Sequence, residues 1–376
     1  MKKTAMLIGL AAVLGFSSNA QAVDWNWKGD IRYRYQSELI DKSTTTDENS
    51  RDRHRTRVRF GVTPWINEEL SAGFQLATGS DETTSRNETY DDMFLPDNVY
   101  LNEAYIDYHP MFLNGDVNLI LGKRENKKTF IVLDDLVWDG DVTPEGITLQ
   151  YGKDDNGKEM DGLSAFLGYY FLDENGGEGD PYLVAAGTSY KGSVSDLGYV
   201  IGASYYDFVN VESMSYDPAG TSFVPLKTTA TSFVNRDFNN VEVFGSLSGK
   251  VSSLPWKLYG QYAFNTTENS AAHSAIDDDE RDALLLGLKL GKAKNPGSLE
   301  GSAEYVRIEE DAVSYFTDSD RCNGKFTDMR GFKVSTTYQV IQNMTIGATY
   351  FNFVRPKAEE ALNTYHLLQL DAVVKF

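Results

Sequence analysis

The sequence holds a single cysteine, Cys322. One thiol cannot close an internal disulfide, and no cysteine follows the N-terminal segment to accept a lipid. After residue 22 no stretch reaches 18 consecutive apolar residues, so no segment reads as a transmembrane helix. Positive charge is scarce: 35 Lys and Arg stand against 55 Asp and Glu, a net charge of −20. That balance argues against a nucleic-acid partner, because phosphate binding needs basic patches. Histidine is scarce too. His54, His109 and His273 fall at strand ends or in a loop, His366 starts the last strand, and none sits in a nucleophile motif, so catalysis is not indicated. The 3.6-residue periodicity of amphipathic helices is hard to find beyond residue 23.

The N-terminus is a targeting segment. Lys2 and Lys3 precede an apolar run from Ala5 to Phe16, and Ala20-Gln21-Ala22 supplies a small-x-small cleavage pattern. Residues 1–22 are expected to be a signal peptide, and residues 23–376 a single domain.

What recurs in that domain is a period of two. Along Trp25–Tyr35, one face carries Trp25, Trp27, Ile31, Tyr33 and Tyr35, and the other Asn26, Lys28, Asp30, Arg32 and Arg34. Thr56, Val58, Phe60 and Val62 alternate with Arg53, Arg55, Arg57 and Arg59. Trp256–Asn265 and His366–Phe376 alternate in the same way. Successive strand residues point to opposite faces, so each segment is apolar on one side and polar on the other.

About sixteen such segments of roughly ten residues follow one another, long enough when tilted to span a bilayer core. Their connections alternate between long polar loops, such as Ser80–Asn98 and Glu125–Glu145, and short ones, such as Lys191–Asp196 and Ile341–Asn343. Eight long and seven short connections predict an all-β, transmembrane, antiparallel up-and-down β-barrel with both termini on the periplasmic side. Gly146–Tyr151 is short for a spanning strand, which leaves 14 or 18 strands open. Trp25, Trp27, Trp65 and Trp256 fall at short-turn ends, where amphipathic rings favour a membrane boundary. A secreted β-sandwich also alternates apolar and polar residues, but it has no reason to order its loops long, short, long, short.

With its cleavable signal, alternating strands and final Phe376, the chain resembles bacterial outer-membrane porins. More narrowly, Leu101-Asn102-Glu103-Ala104-Tyr105-Ile106-Asp107-Tyr108, Leu121-Gly122-Lys123 and Trp138-Asp139-Gly140-Asp141-Val142-Thr143-Pro144-Glu145-Gly146 resemble the family called putative porins. The resemblance implies a passive channel in the cell outer membrane, with lipid around it and small polar or ionic solutes passing through. It also implies that Phe376 is read by the barrel assembly machinery. It leaves a homotrimer open and does not name the solute.

If the apolar faces meet lipid, Arg32, Arg34, Arg53, Arg55, Arg57 and Arg59 point into the lumen from two adjacent strands. Like charges on neighbouring strands repel, and guanidinium groups do not escape by losing a proton. The cluster therefore needs acids, water or a passing anion. Glu103 and Asp107 are candidate partners, across a strand that offers only Ser71, Gly73, Gln75 and Ala77 inward. Two readings stay open together: neutralisation within the wall, and a charged constriction that screens solutes.

The loop Glu125–Glu145 sets Asp134, Asp135, Asp139, Asp141 and Glu145 among Phe130, Leu133, Leu136 and Trp138. It has enough apolar residues to pack against something. By resemblance to porins whose third loop folds inward, it is the expected constriction; the alternative is an external loop with a small hydrophobic cap. No cofactor or metal is expected. Asp318, Asp320, Asn323 and Gly324 are similar to a calcium loop, but the spacing is one residue off and Met329 stands where the bidentate glutamate belongs. A polysaccharide exporter or a non-conducting structural or adhesive barrel remains the alternative function.

Overall fold

A computed structural model describes residues 23–41, 49–80, 82–154, 156–174, 176, 179–211, 239–267, 280–314, 316–321, 327–356 and 364–376. The expected signal peptide, residues 1–22, lies outside the described residues. Sixteen antiparallel strands form the wall: β1 (Asp24–Asp41), β2 (Asn49–Asn67), β3 (Leu70–Thr78), β4 (Val99–Tyr108), β5 (Val117–Lys123), β6 (Glu145–Tyr151), β7 (Gly162–Phe171), β8 (Tyr182–Val194), β9 (Leu197–Val209), β10 (Asn239–Val251), β11 (Leu254–Asn265), β12 (Asp282–Gly291), β13 (Leu299–Ile308), β14 (Met329–Ile341), β15 (Met344–Val354) and β16 (Thr364–Lys375). Each pairs with its sequence neighbours, and β16 pairs with β1 from Asp30↔Lys375 to Asp41↔Thr364, which closes the ring. Closure leaves no strand edge, the condition for a sheet to sit in lipid. Glu145–Tyr151 is a strand of the wall, paired on both sides despite its length.

The alternation seen in the sequence is the inside–outside alternation of this wall. Trp25, Trp27, Ile31 and Tyr33 are exposed on the outer face, whereas Asp30, Arg34, Gln36 and Glu38 are buried on the inner one. Trp65 departs from the expected outer girdle: its ring meets that of His109 at a tilt, with centroids 4.8 Å apart, and lines a small space beside Arg124 and Lys128. Tight turns fix the register at the short-loop end. Ser195, Ser252 and Asn343 take the left-handed backbone conformation in two-residue hairpin turns.

Inside the wall, aromatic rings lie flat across glycines. Tyr259 on β11 is the cross-strand neighbour of Gly287 on β12, which in turn faces Glu304 on β13. The ring crosses the glycine, and its hydroxyl donates to Glu304 Oε1 at 2.7 Å. A Cβ on Gly287 would fall 2.2 Å from the ring. Gly287→Val should therefore displace Tyr259, break the bond to Glu304 and cost about 1–3 kcal/mol as overpacking. The reading is a lower temperature for the folded-to-unfolded band shift on gels; an unchanged temperature would contradict it.

Loop-length alternation also sets an orientation. In a variant lacking Cys322, Glu174→Cys on a long loop should react with an impermeant thiol reagent on intact cells, and Asn295→Cys on a short turn should not. Both side chains are exposed. Labelling at residue 295 alone would reverse the orientation. Thr84, although on a long connection, is no site for this test, because it is only 3% exposed.

Candidate functional site

The site is built on β1 and β2. Their register sets Asp30 opposite Arg59, Arg32 opposite Arg57, Arg34 opposite Arg55 and Gln36 opposite Arg53. All six arginines thus share the inner face. Four have carboxylates nearby. Arg57 and Arg59 share Asp30 at 2.9 and 2.7 Å. Arg34 forks onto Asp371 of β16 with bonds of 2.7 and 2.8 Å, the bidentate geometry that suits a guanidinium. Arg53 pairs with Glu38.

Glu103 and Asp107 are buried on the inner face of β4, but they do not meet these arginines. Glu103 takes Lys128 at 3.1 Å and the backbone N–H of Glu125 at 3.0 Å. Asp107 takes Arg124 at 3.4 Å. Nearer cations at the root of the following loop claim both acids. They anchor that loop rather than neutralise the arginine wall.

The loop, residues 124–144, folds into the barrel. Its apolar half is a plug: Phe130, Leu136, Val137 and Trp138 are each at most 2% exposed. Trp138 stacks on Phe316 at 5.4 Å and meets Tyr206 edge-on at 5.2 Å, while Phe130 meets Tyr170 edge-on at 5.1 Å. Gln150 donates to the carbonyls of Lys128 and Thr129, and Lys153 to that of Phe130. The loop's first turn is thereby tied to β6 and the turn after it.

The acidic half looks the other way. Asp141 lies 3.6 Å from Arg59 and 3.8 Å from Arg57. Burial pushes its pKa up, but those guanidiniums outweigh burial and hold it below the usual carboxylate range. Burial of Asp135 is likewise outweighed, by Arg321 and Lys333. Asp139 is different. Its oxygens accept from the backbone N–H groups of Asp141 and Ser319, and burial beside Asp141 and Asp318 pushes it well above the usual range. The backbone carbonyl of Asp134 accepts from Gln261 on the opposite wall, and its side chain accepts from the N–H of Asp135. Glu145 does not reach the lumen: it opens β6, exposed and paired with Lys123.

Two further connections complete the interior, and neither was recognised from sequence. Residues 309–321 insert Ala312, Val313 and Phe316 into the plug, and bring Asp318 and Asp320 to the polar side. Asp320 lies 3.4 Å from Arg34, and Asp318 lies 3.4 Å from Lys333. Cations thus hold the two acids that resemble a calcium loop; Asn323 and Gly324 lie outside the described residues. Burial raises Asp318, against the pull of Lys333, to about 6. The second connection, residues 79–98, carries Ser85 and Asn87 over the arginines, with Asn87 accepting from Arg32 at 2.5 Å. One signal did exist. Gly162–Phe171 is apolar on both faces, the pattern of a strand covered on both sides.

Between the arginine wall and the acidic loops lies a space of about 270 Å³, with Arg32, Arg34 and Arg57 on one side and Asp139, Asp141 and Asp320 on the other; Lys127 and Lys333 also line it. Phe376, at the far end of β16, exchanges backbone hydrogen bonds with Gly29 at 2.8 and 3.0 Å and lays its ring against that glycine.

The fold is shared with solved channels. Pseudomonas putida OprB, solved at high pH, superposes with a TM-score of 0.60 at 9% identity, covering 94% of each chain. An anion-selective porin from Comamonas acidovorans gives 0.54 at 10% identity over 94% of this chain and 100% of the other. Salmonella typhi OmpF in complex with daunomycin gives 0.52 at 14% identity over 94% and 97%. At such identities the likeness shows the fold alone. No curated protein sequence matches the chain. The model of the family described as "Putative porin" matches residues 16–239, more than half of the chain. Family and fold support a porin channel, point to the outer membrane, and point to a channel rather than an enzyme. The chain belongs to the family described as "Putative porin".

Proposed function

We propose that this barrel is a water-filled diffusion channel for small polar or charged solutes, constricted where the inserted loops face the arginine wall. The observation that carries this reading is the 270 Å³ space with guanidinium groups on one side and carboxylates on the other. Opposite charge layers across a narrow gap set up a field transverse to the pore. A polar solute can align its dipole with that field, whereas an apolar one must displace oriented water. Passage demands weak interaction, because a solute held strongly would not leave. Under the same reading, lipid surrounds the outer face and Phe376 serves as the assembly signal.

The plug sets the bore. Trp138→Ala removes the ring that joins this loop to residues 309–321, a loss of about 3–5 kcal/mol of packing. The wall is held by its own strand ladder, so the barrel should survive while the loop loosens. Single-channel conductance of the purified protein in planar bilayers should rise. An unchanged conductance through a folded variant would remove the loop from the constriction, and no conductance in the native protein would favour a non-conducting barrel.

Acid should change the selectivity. Asp318 faces Lys333, Arg321, Asp135 and Asp320, and takes up its proton near pH 6; Asp139, raised well above the usual range, titrates in the same sense. Protonation removes negative charge from the loop side, while the arginines keep theirs. The reversal potential should therefore shift toward anions as pH falls from 7 to 5. The shift should shrink in Asp318→Asn. A shift toward cations would contradict the assignment of charges.

A further inference from the structure

Resting on the channel reading, we propose that Arg32 and Arg55 form a two-step subsite for small oxyanions, carboxylate or phosphate, along the arginine wall. Among the six arginines, these two alone have no carboxylate within ion-pair distance among the described residues. Their acceptors are uncharged. Arg32 donates to Asn87 Oδ1, and Arg55 makes long contacts to Gln36 Oε1 at 3.4 Å and Ser85 Oγ at 3.5 Å. The Nε of each is buried with no acceptor among the described residues. Arg55 is only 8% exposed.

A guanidinium presents five N–H donors in a planar fork and cannot shed its charge. Burying it without an anion is costly, and the cost is removed when an oxyanion takes the fork. The paired arginines make the contrast. Arg34, Arg53, Arg57 and Arg59 are ion-paired with Asp371, Glu38 and Asp30, so the guanidiniums without a direct ion pair among the described residues stand at two points.

Those points stand in sequence along the lumen. Arg55 lines an outer space of about 80 Å³, Arg32 lines the space of about 270 Å³ below it, and Ser85, Ser319 and Asp320 border both. In the strand register Arg32 and Arg55 are diagonal neighbours, about 7–8 Å apart at the backbone. An anion on one can therefore pass to the other without crossing an apolar stretch. Asp320 and Asp141 lie beside the route and repel an anion that lingers. Two adjacent sites of moderate strength are what conduction through a binding pore requires.

The test is conductance against concentration for the purified barrel in planar bilayers, in potassium chloride, potassium acetate and potassium phosphate. In the native protein, conductance should saturate in acetate, in phosphate, or in both, and the salts that saturate identify the source of the oxyanion. In R32Q/R55Q the half-saturating concentration should rise by about tenfold or more, the loss expected for charge-assisted hydrogen bonds. R32K and R55K keep the charge and lose the fork; they should fall between, and they test the idea if the glutamine variants fail to fold. Conductance that rises linearly in both oxyanion salts, or an identical half-saturation in the folded variants, overturns the subsite while leaving the channel. Absence of current in every salt overturns the channel reading and the subsite with it.

Discussion

Six guanidinium groups on two adjacent strands, none able to lose its proton, impose the constraint around which the rest of this lumen is arranged. Cross-strand neighbours such as Arg32 and Arg57 face each other directly, so the wall repels itself unless negative charge is brought to it. Some of that charge is built into the wall as Asp30, Glu38 and Asp371. The remainder must come from elsewhere in the chain, and it comes from loops that enter the barrel. Asp141 arrives with the loop after β5, and Asp320 with the loop after β13.

Carboxylates alone would not stay there. A charged loop in an aqueous lumen gains little from screened ion pairs and loses chain entropy. What holds it is its other half. Phe130, Leu136 and Trp138 pack against Tyr170, Tyr206 and Phe316 in a buried apolar cluster, which anchors the acidic residues within reach of the arginines. The interior is thus divided lengthwise. An apolar cluster reaches from β7 round to β16, and a charged strip runs along β1 and β2.

The wall was legible in the sequence because a barrel strand writes itself as a period of two, and long and short loops alternate at its ends. The six arginines could be assigned to the lumen from that pattern alone. Pairing across space could not. Glu103 and Asp107 share the right face, yet Lys128 and Arg124 reach them first, and Asp371 lies more than three hundred residues from Arg34. The third loop declared itself through Trp138 and its acids. The contribution of residues 309–321 did not, because Ala312, Val313 and Phe316 form too short an apolar run to stand out from a surface loop. Glu145, expected on the candidate constriction loop, instead opens strand β6, which begins one residue before its first glycine.

The account depends on residues 130–142 being packed within the barrel. Hydrogen exchange of the folded protein measures this directly. The N–H groups of Phe130, Asp139 and Val142 donate to the carbonyls of Asn126, Phe316 and Asp139 beside the apolar plug. Peptides covering 130–142 should therefore exchange on the slow timescale of the wall strands, and should be far slower than the exposed loop around Glu174. Exchange of 130–142 as fast as that loop would place the segment outside the lumen and contradict the constriction.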